Sequence, residues 1–170
     1  MELIRTLGDK TPRVADTAWV SEFAYVVGDV EIGEHCSIWP GVTIRGDGEE
    51  KIVLGAYVNV QEGAVIHGNG LVIEHHVTVG HSVVVHGDFI GEGSLLGNNC
   101  TFLHRSNIGK NCLIAANSVV LSGTDIPDNS FVTGIPGKIK RQVSDEQKAN
   151  MLNTSHHLAE KKEIFRQSGL

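Results

Sequence analysis

The chain has 170 residues and a mass of 18.3 kDa, which predicts a single domain that buries its own core. Apolar residues make up 41% and charged residues 20%, a composition that excludes intrinsic disorder. The net charge of −6 argues against nucleic-acid binding, and no apolar run is long enough to cross a bilayer, so we expect no nucleic-acid or membrane partner. The three cysteines lack a CxxC spacing and the N-terminus lacks an apolar signal segment, which favours a reducing, cytoplasmic compartment.

A six-residue rhythm of apolar side chains runs through most of the chain. Allowing three register shifts, nineteen positions at this spacing are all aliphatic or phenylalanine. They are Val20, Val26, Ile32, Ile38, Ile44, Leu54, Val60, Ile66, Ile73, Val79, Val85, Ile90, Leu96, Phe102, Ile108, Ile114, Val120, Ile126 and Val132. A helix repeats about every 3.6 residues and a strand about every 2, so a period of six indicates one face of a β-solenoid.

Three such faces make one turn of a triangular β-solenoid. Each turn takes about eighteen residues, so the nineteen units predict roughly six turns. The apolar residue points inward and stacks on its counterparts in neighbouring turns, where its burial contributes about 1.5–3 kcal/mol. We expect the solenoid domain at residues 1–137, with a lead-in over 1–18, and a linker and α-helix over 138–170.

The repeat stops near residues 134–138, and a helix follows. Ser144 and Gln147 have the spacing of a capping box, and helix-forming residues continue to about residue 166. One stripe of this helix should pack against the solenoid or a neighbouring subunit. It carries Met151, Leu152, Leu158, Ala159 and Phe165.

Three segments carry a resemblance to a known family. They are IWPGVTIRGD at 38–47, NVQEGAVIHG at 59–68 and VTVGHSVVVHG at 77–87. Together with the hexapeptide repeat they resemble the γ-class carbonic anhydrases, from about residue 10 to the C-terminal helix. The resemblance implies a left-handed parallel β-helix, a homotrimer with metal sites between subunits, and reversible hydration of CO₂ to bicarbonate.

The nine histidines include three candidate metal ligands. His67 and His86 each follow a core aliphatic residue and lie about one turn apart, so we expect them to stack on one corner. His81 has a different phase and should lie on another face. The resemblance implies that His67 and His86 of one subunit meet His81 of its neighbour. Three neutral imidazoles and one water form the ligand set of hydrating metal centres, which suits Zn²⁺, with Fe²⁺ or Co²⁺ as alternatives.

Four further residues match positions near the metal in this family. The resemblance implies that Gln61 hydrogen-bonds the reacting water or bicarbonate; otherwise it is an amide that satisfies a turn. It also implies that Arg45 and Asp47 pair across the subunit interface, whereas on their own they read as a solvated ion pair in a turn. Glu62 stands where the family usually has aspartate, and its longer side chain changes the reach of the interface contact.

The departures from the family concern proton transfer. Residues 68–73 form a short segment without an acid, where fast members carry an acidic loop. Gly48 replaces a glutamate, and Leu158 replaces a tyrosine that many relatives direct at the site. Because each turnover must release a proton, we expect the metal site to be retained with a low activity. His75 and His76 are read as turn residues and as secondary candidates for a proton relay.

Other functions fit the same scaffold. A hexapeptide acyltransferase needs one basic histidine and a coenzyme A groove, and a thioester hydrolase would use the same metal centre. A non-catalytic metal-binding or assembly subunit is the third possibility. No GxSxG or Walker pattern appears, and Cys36, Cys100 and Cys112 occupy the small core position of the repeat, which indicates packing rather than catalysis.

Overall fold

Strands of two to five residues recur on three faces of the chain and build a parallel β-solenoid of about seven turns. The computed structural model describes residues 4–169, and one helix, α1 (Asp145–Gln167), follows the solenoid. The predicted fold class, a β-solenoid with a C-terminal helix, is confirmed. Among the described residues, no helix combines the length and apolarity that crossing a bilayer requires.

Each face of the solenoid is one sheet whose neighbouring strands come from successive turns. Sheet 1 contains β1 (Ile4–Arg5), β4 (Tyr25–Gly28), β7 (Thr43–Gly46), β10 (Val65–His67), β13 (Val84–Val85), β16 (Thr101–Phe102) and β19 (Val119–Val120). Sheet 2 contains β2 (Arg13–Val14), β5 (Val30–Ile32), β8 (Ile52–Leu54), β11 (Val72–Ile73), β14 (Phe89–Ile90), β17 (Asn107–Ile108) and β20 (Asp125–Ile126). Sheet 3 contains β3 (Trp19–Val20), β6 (Ser37–Ile38), β9 (Asn59–Val60), β12 (Thr78–Val79), β15 (Leu95–Leu96), β18 (Leu113–Ile114), β21 (Ser130–Thr133) and β22 (Lys138–Gln142).

The core consists of three columns of stacked apolar side chains. In sheet 1, for example, the register pairs Ile44 with Ile66, Ile66 with Val85, and Val85 with Phe102. Eighteen of the nineteen positions of the repeat are buried, and Val20 of the first sheet 3 strand is half-buried. All three cysteines are free and buried, and burial raises the pKa of Cys36 and of Cys100 to about 12, which leaves these thiols unreactive.

The solenoid has about seven turns rather than the six predicted. The reason is that the expected lead-in over 1–18 already forms strands, because β1 pairs with β4 and β2 pairs with β5. At the other end, β22 runs antiparallel to β21 within the expected linker. The division into a solenoid domain at 1–137 and a linker and helix at 138–170 stays a prediction, and residues 1–3 and 170 of these ranges lie outside the described part.

Helix α1 starts at the predicted capping box. The Ser144 hydroxyl accepts from the Gln147 backbone N–H, and the Gln147 side chain accepts from the Ser144 N–H. Its packing differs from the predicted apolar stripe, because Leu152 is exposed while Ser155 and Lys162 are buried. These two groups hydrogen-bond backbone carbonyls of the solenoid at Tyr57 and Thr17. The Lys162 ammonium also pairs with Glu163 at 3.1 Å, which offsets the cost of burying its charge.

The predicted stripe is correct in part. Met151 is buried, and Phe165 packs its ring against Trp19 at 5.8 Å and against Trp39 at 4.9 Å between ring centroids. Such aromatic pairs add about 0.5–1.5 kcal/mol each beyond the area they bury. The helix therefore packs on sheet 3 of its own chain through aromatic contacts and polar anchors together.

One glycine makes room for the largest side chain of the core. A Cβ added at Gly87 would overlap the ring of Phe102, which is fully buried. At Gly68, the equivalent position one turn earlier, an added Cβ would meet Leu71 Cβ at 3.0 Å. The ring at 102 and the missing side chain at 87 therefore form a complementary pair.

We expect Gly87→Ala to lower the free energy of unfolding by about 1–3 kcal/mol through overpacking. The double variant Gly87→Ala/Phe102→Val should lose about 1 kcal/mol less than the sum of its single variants, because the smaller residue leaves space for the new methyl group. Chemical denaturation measures both values. Gly68→Ala is the matched control. If the unfolding free energies lost in Gly87→Ala and Phe102→Val simply add in the double variant, the proposed fit is contradicted.

Candidate metal centre

His67 and His86 lie side by side at the corner between sheets 1 and 2. The parallel pairing of β10 with β13 places Ile66 opposite Val85, so the residues that follow them occupy the same place in adjacent turns. Their ring centroids are 4.9 Å apart. This is the stacking that the spacing of the two histidines predicts, and it brings two imidazoles within reach of one ion.

His81 lies at a different corner, after β12 of sheet 3 and before β13 of sheet 1. Its Nδ1 is 2.8 Å from a carboxylate oxygen of Glu62. A histidine that donates one ring N–H to a carboxylate keeps the other nitrogen as a lone-pair donor, the usual arrangement of a metal ligand. Within residues 4–169 no group of three or more His, Cys, Asp or Glu side chains converges on a metal position. One chain therefore presents the three histidines as a pair and a single residue.

Asp47 connects Arg45 to His67. Its two carboxylate oxygens lie 2.9 Å from the Arg45 guanidinium and 2.9 Å from His67 Nε2. Desolvation raises the pKa of Asp47, but the hydrogen bond from His67 and the charge of Arg45 outweigh it, so the net pKa is lowered. Arg45 and Asp47 thus pair within one chain, and the pairing across a subunit interface stays a prediction.

The histidine column continues one turn further than the sequence analysis placed it. The ring of His104, which follows one turn after His86, lies 5.8 Å from the ring of His86. Desolvation lowers the pKa of His86, and the charges of His67, His104 and Arg45 lower it further. The neutral form of His86 is therefore favoured, which is the form that a metal ligand requires. The eighteen-residue spacing from 86 to 104 was the available signal for this neighbour.

Gln61 and Glu62 lie near His81 on one side of a cavity beside α1. The cavity has a volume of about 170 Å³ and is lined by Trp39, Gln61, Glu62, His81, Leu158 and Lys161. Trp39 Nε1 and the Ser37 hydroxyl both donate to the carbonyl oxygen of the Asn59 side chain. Among the described residues, the buried amide nitrogen of Asn59 has no hydrogen-bond partner. The sequence analysis singled out neither Trp39 nor Asn59, because each reads as an ordinary position beside a core residue.

The structure also locates the groups considered for proton transfer. The side chain of Glu50 lies against Gly70, so the segment 68–73, which has no acid of its own, has a carboxylate from the preceding turn beside it. His75 and His76 lie at the corner between sheets 2 and 3 instead. That corner is neither the one that holds His67 and His86 nor the one that holds His81.

The donor set fits a divalent transition metal. Imidazole nitrogen suits Zn²⁺, Fe²⁺ and Co²⁺, and carboxylate partners on two of the three rings fix their orientation, as expected for histidines that bind metal. Binding by all three requires His81 to come from a second copy, since one chain holds it at a separate corner.

Comparison with known proteins identifies the family to which the chain belongs. The model described as "Bacterial transferase hexapeptide (six repeats)" matches residues 11–46 and 89–122. A carbonic anhydrase of Geobacillus kaustophilus is 35% identical over 92% of this chain and 87% of its own length. The mitochondrial gamma carbonic anhydrase 2 of Arabidopsis thaliana is 36% identical over 82% of this chain, which spans about half (53%) of that protein.

Solved structures agree on the architecture. A hexapeptide transferase family protein from Anaplasma phagocytophilum superimposes with a TM-score of 0.93 and 27% identity, covering 96% of this chain and 98% of the other. The solenoid, the three histidines and the identity to named carbonic anhydrases over nearly the whole chain lead to one assignment. The chain belongs to the γ-class carbonic anhydrase family of hexapeptide-repeat proteins.

Proposed function

We propose that this protein is a metal-dependent carbonic anhydrase that interconverts CO₂ and bicarbonate at sites between subunits. The observation that carries the proposal is the division of the ligand set, with His67 and His86 adjacent on one corner and His81 alone on another. Zn²⁺ is the first candidate metal, with Fe²⁺ or Co²⁺ as alternatives. Identity to named carbonic anhydrases over most of the chain supports the reaction.

The proposed assembly is a homotrimer, and an apolar outer face supports contact with further copies. On the outside of sheet 1, Tyr25, Val65 and Val84 are 40%, 40% and 39% exposed. Val65 and Val84 are register partners, and Tyr25 is joined to Val65 through Thr43. This column lies beside His67 and His86, so a second copy that covers it would bring another chain next to the two imidazoles. A closed ring of three uses the same pair of surfaces three times.

Each side chain near the site has its own role in the proposed reaction. A bound metal supplies Lewis acidity that makes water nucleophilic near neutral pH. Glu62 fixes the ring of His81, and Asp47 fixes the ring of His67. Gln61, at the edge of the cavity with His81, offers an amide that can orient the water or bicarbonate. The hydrogen bond from His67 and the charge of Arg45 lower the pKa of Asp47 against its desolvation, and Arg45 adds a positive charge for the product anion.

Acyl transfer from coenzyme A is the second candidate function. The family model and the structural neighbour both carry transferase names, and the neighbour covers almost the whole chain. The split ligand set favours carbonic anhydrase, because acyl transfer needs one general base and not three imidazoles. A thioester hydrolase and a non-catalytic assembly subunit remain alternatives, and the cytoplasmic location stays a prediction.

We expect metal-loaded protein to hydrate CO₂ faster than the His81→Ala variant. Stopped-flow indicator assays from about pH 6 to about pH 9, on protein loaded anaerobically with Zn²⁺ or Fe²⁺, should show a rate that rises with an apparent pKa of about 7. His35→Asn is a matched histidine control at another corner, and Asn tolerates the positive φ of 59° at this position.

Equal rates for the loaded wild-type protein and His81→Ala would contradict the proposed reaction. Thiol release from acetyl-coenzyme A with a small amine acceptor, measured on the same two proteins, separates acyl transfer from hydration. Release that persists in His81→Ala would favour the transferase.

Mixed trimers test whether the site is shared. His67→Ala and His81→Ala damage different halves of the site, so subunits unfolded and refolded together in equal amounts should recover about one quarter of the wild-type sites, since each interface then draws its two halves at random. Bound metal per chain and CO₂ hydration both report the recovery.

The matched control is a mixture of His67→Ala with His86→Ala. These two variants damage the same half, so the shared-site geometry predicts no recovery at all. Mass spectrometry verifies that mixed trimers have formed. Equal recovery in the two mixtures, or none in either, would refute the inter-subunit arrangement.

A further inference from the structure

A second cluster of aromatic and imidazole rings lies at the corner between sheets 2 and 3, where α1 covers the solenoid. His35, Tyr57 and His76 come from three successive turns and stack, with centroid separations of 4.7 Å and then 4.9 Å. His156 of α1 closes the cluster at 5.0 Å from His76 and 5.4 Å from Tyr57. The carbonic anhydrase proposal assigns no part to any of these residues.

The backbone at this corner does not require aromatic side chains. His35, Tyr57 and His76 all adopt a left-handed φ between 58° and 60°, a conformation that favours glycine and asparagine. Where the chain turns the same way elsewhere, it uses Gly41, Gly63, Gly93, Asn99, Asn111, Asn117 and Asn129 among others. The turn conformation favours glycine or asparagine, yet at the corner where the helix docks these positions carry aromatic and imidazole rings.

Ser155 of α1 contacts both Tyr57 and His76. The Ser155 hydroxyl donates its one proton to the Tyr57 carbonyl oxygen at 3.0 Å. Its oxygen also lies 3.5 Å from His76 Nδ1, where it can accept a hydrogen bond from the Nδ1–H tautomer. In that tautomer Nε2 keeps its lone pair.

A cavity opens beside this ring. It has a volume of about 390 Å³, and its walls include His76, Glu92 and Lys148. Glu92 forms a long ion pair with Lys110 at 3.5 Å, and both groups are about half exposed, so the carboxylate can exchange this partner for another cation. Two neighbouring imidazoles, one oriented by a hydroxyl group and close to a carboxylate, have the chemistry of a transition-metal site.

We propose that His76 and His156 bind a divalent cation that favours imidazole, such as Zn²⁺, Ni²⁺ or Cu²⁺, between the solenoid and α1. Two protein ligands leave the remaining positions to water, so this site is weaker than a three-histidine centre. Because one ligand belongs to the solenoid and the other to the helix, the ion clamps α1 onto sheet 3. The proposal stands whether or not the protein hydrates CO₂.

The test uses the double variant His67→Ala/His86→Ala, which lacks the paired half of the shared centre. Isothermal titration with Zn²⁺ and with Ni²⁺ should then show one bound ion per chain. Adding His76→Asn or His156→Gln removes one of the two ligands and should weaken binding by more than the roughly tenfold loss seen when only an outer-shell partner is removed. Asn tolerates the φ of 58° at residue 76, so the turn is preserved.

His157→Gln is the matched control, since it changes the neighbouring histidine on the same helix and should leave the affinity unchanged. With Cu²⁺, electron paramagnetic resonance should report two coordinated imidazole nitrogens in the parent and one in either ligand variant. Hydrogen exchange of the α1 amides should slow on addition of Zn²⁺ in the His67→Ala/His86→Ala protein, and not when His76 or His156 is also replaced. Repeating the titration in a His81→Ala background guards against poor folding of the double variant.

Equal affinity in His76→Asn, His156→Gln and His157→Gln would overturn the proposal, and so would the absence of any bound ion in both folded backgrounds. Weakened binding without an effect on α1 exchange would overturn the clamp.

Discussion

The parallel, in-register pairing of each turn with the next is the constraint on which the rest of this structure depends. Backbone N–H and C=O groups of one turn pair with the turn beside it, so residues of the same phase are stacked along the solenoid axis. That stacking produces the columns of the core, in which Ile66 lies on Val85. It also places His67 against His86, because each is held by the strand residue before it. The core and the candidate metal centre are thus consequences of one repeat.

This dependence explains how much the sequence alone predicts. The period of six identifies the core because each unit contributes one inward position, and the same phase argument separates His81 from the histidine pair. Contacts set by side-chain reach could not be predicted. Asp47 bridging Arg45 and His67, and Glu50 lying against Gly70, depend on how long side chains cross a corner. The packing of α1 is predicted only in part for a related reason: an apolar stripe accounts for Met151 and Phe165, whereas the buried Ser155 and Lys162 dock by hydrogen-bonding carbonyl groups.

The separation of the ligands makes assembly and chemistry interdependent in the proposed function. A single chain holds His81 and the histidine pair at different corners, so its three histidines cannot bind one ion. In the proposed function, the complete site forms only when a second copy covers sheet 1. The apolar column beside the pair then contributes to association, while metal binding stabilises the correct alignment of the two chains. Carboxylates at Asp47 and Glu62 hold the rings before the partner arrives, which reduces the ordering that binding must supply.

The same stacking rule operates at the corner covered by α1, with a different result. Rings from successive turns again lie about 5 Å apart, as the spacing of neighbouring strands dictates. Beside the first cluster the proposed function places His81 of another subunit, whereas in the second cluster His156 is supplied by the helix of the same chain. The stacking of turns is therefore enough to bring side chains from successive turns together at a corner. The element that packs beside the corner then determines what those side chains can bind. For the corner between sheets 2 and 3 that element is α1, and for sheet 1 the proposed function makes it a second copy of the chain.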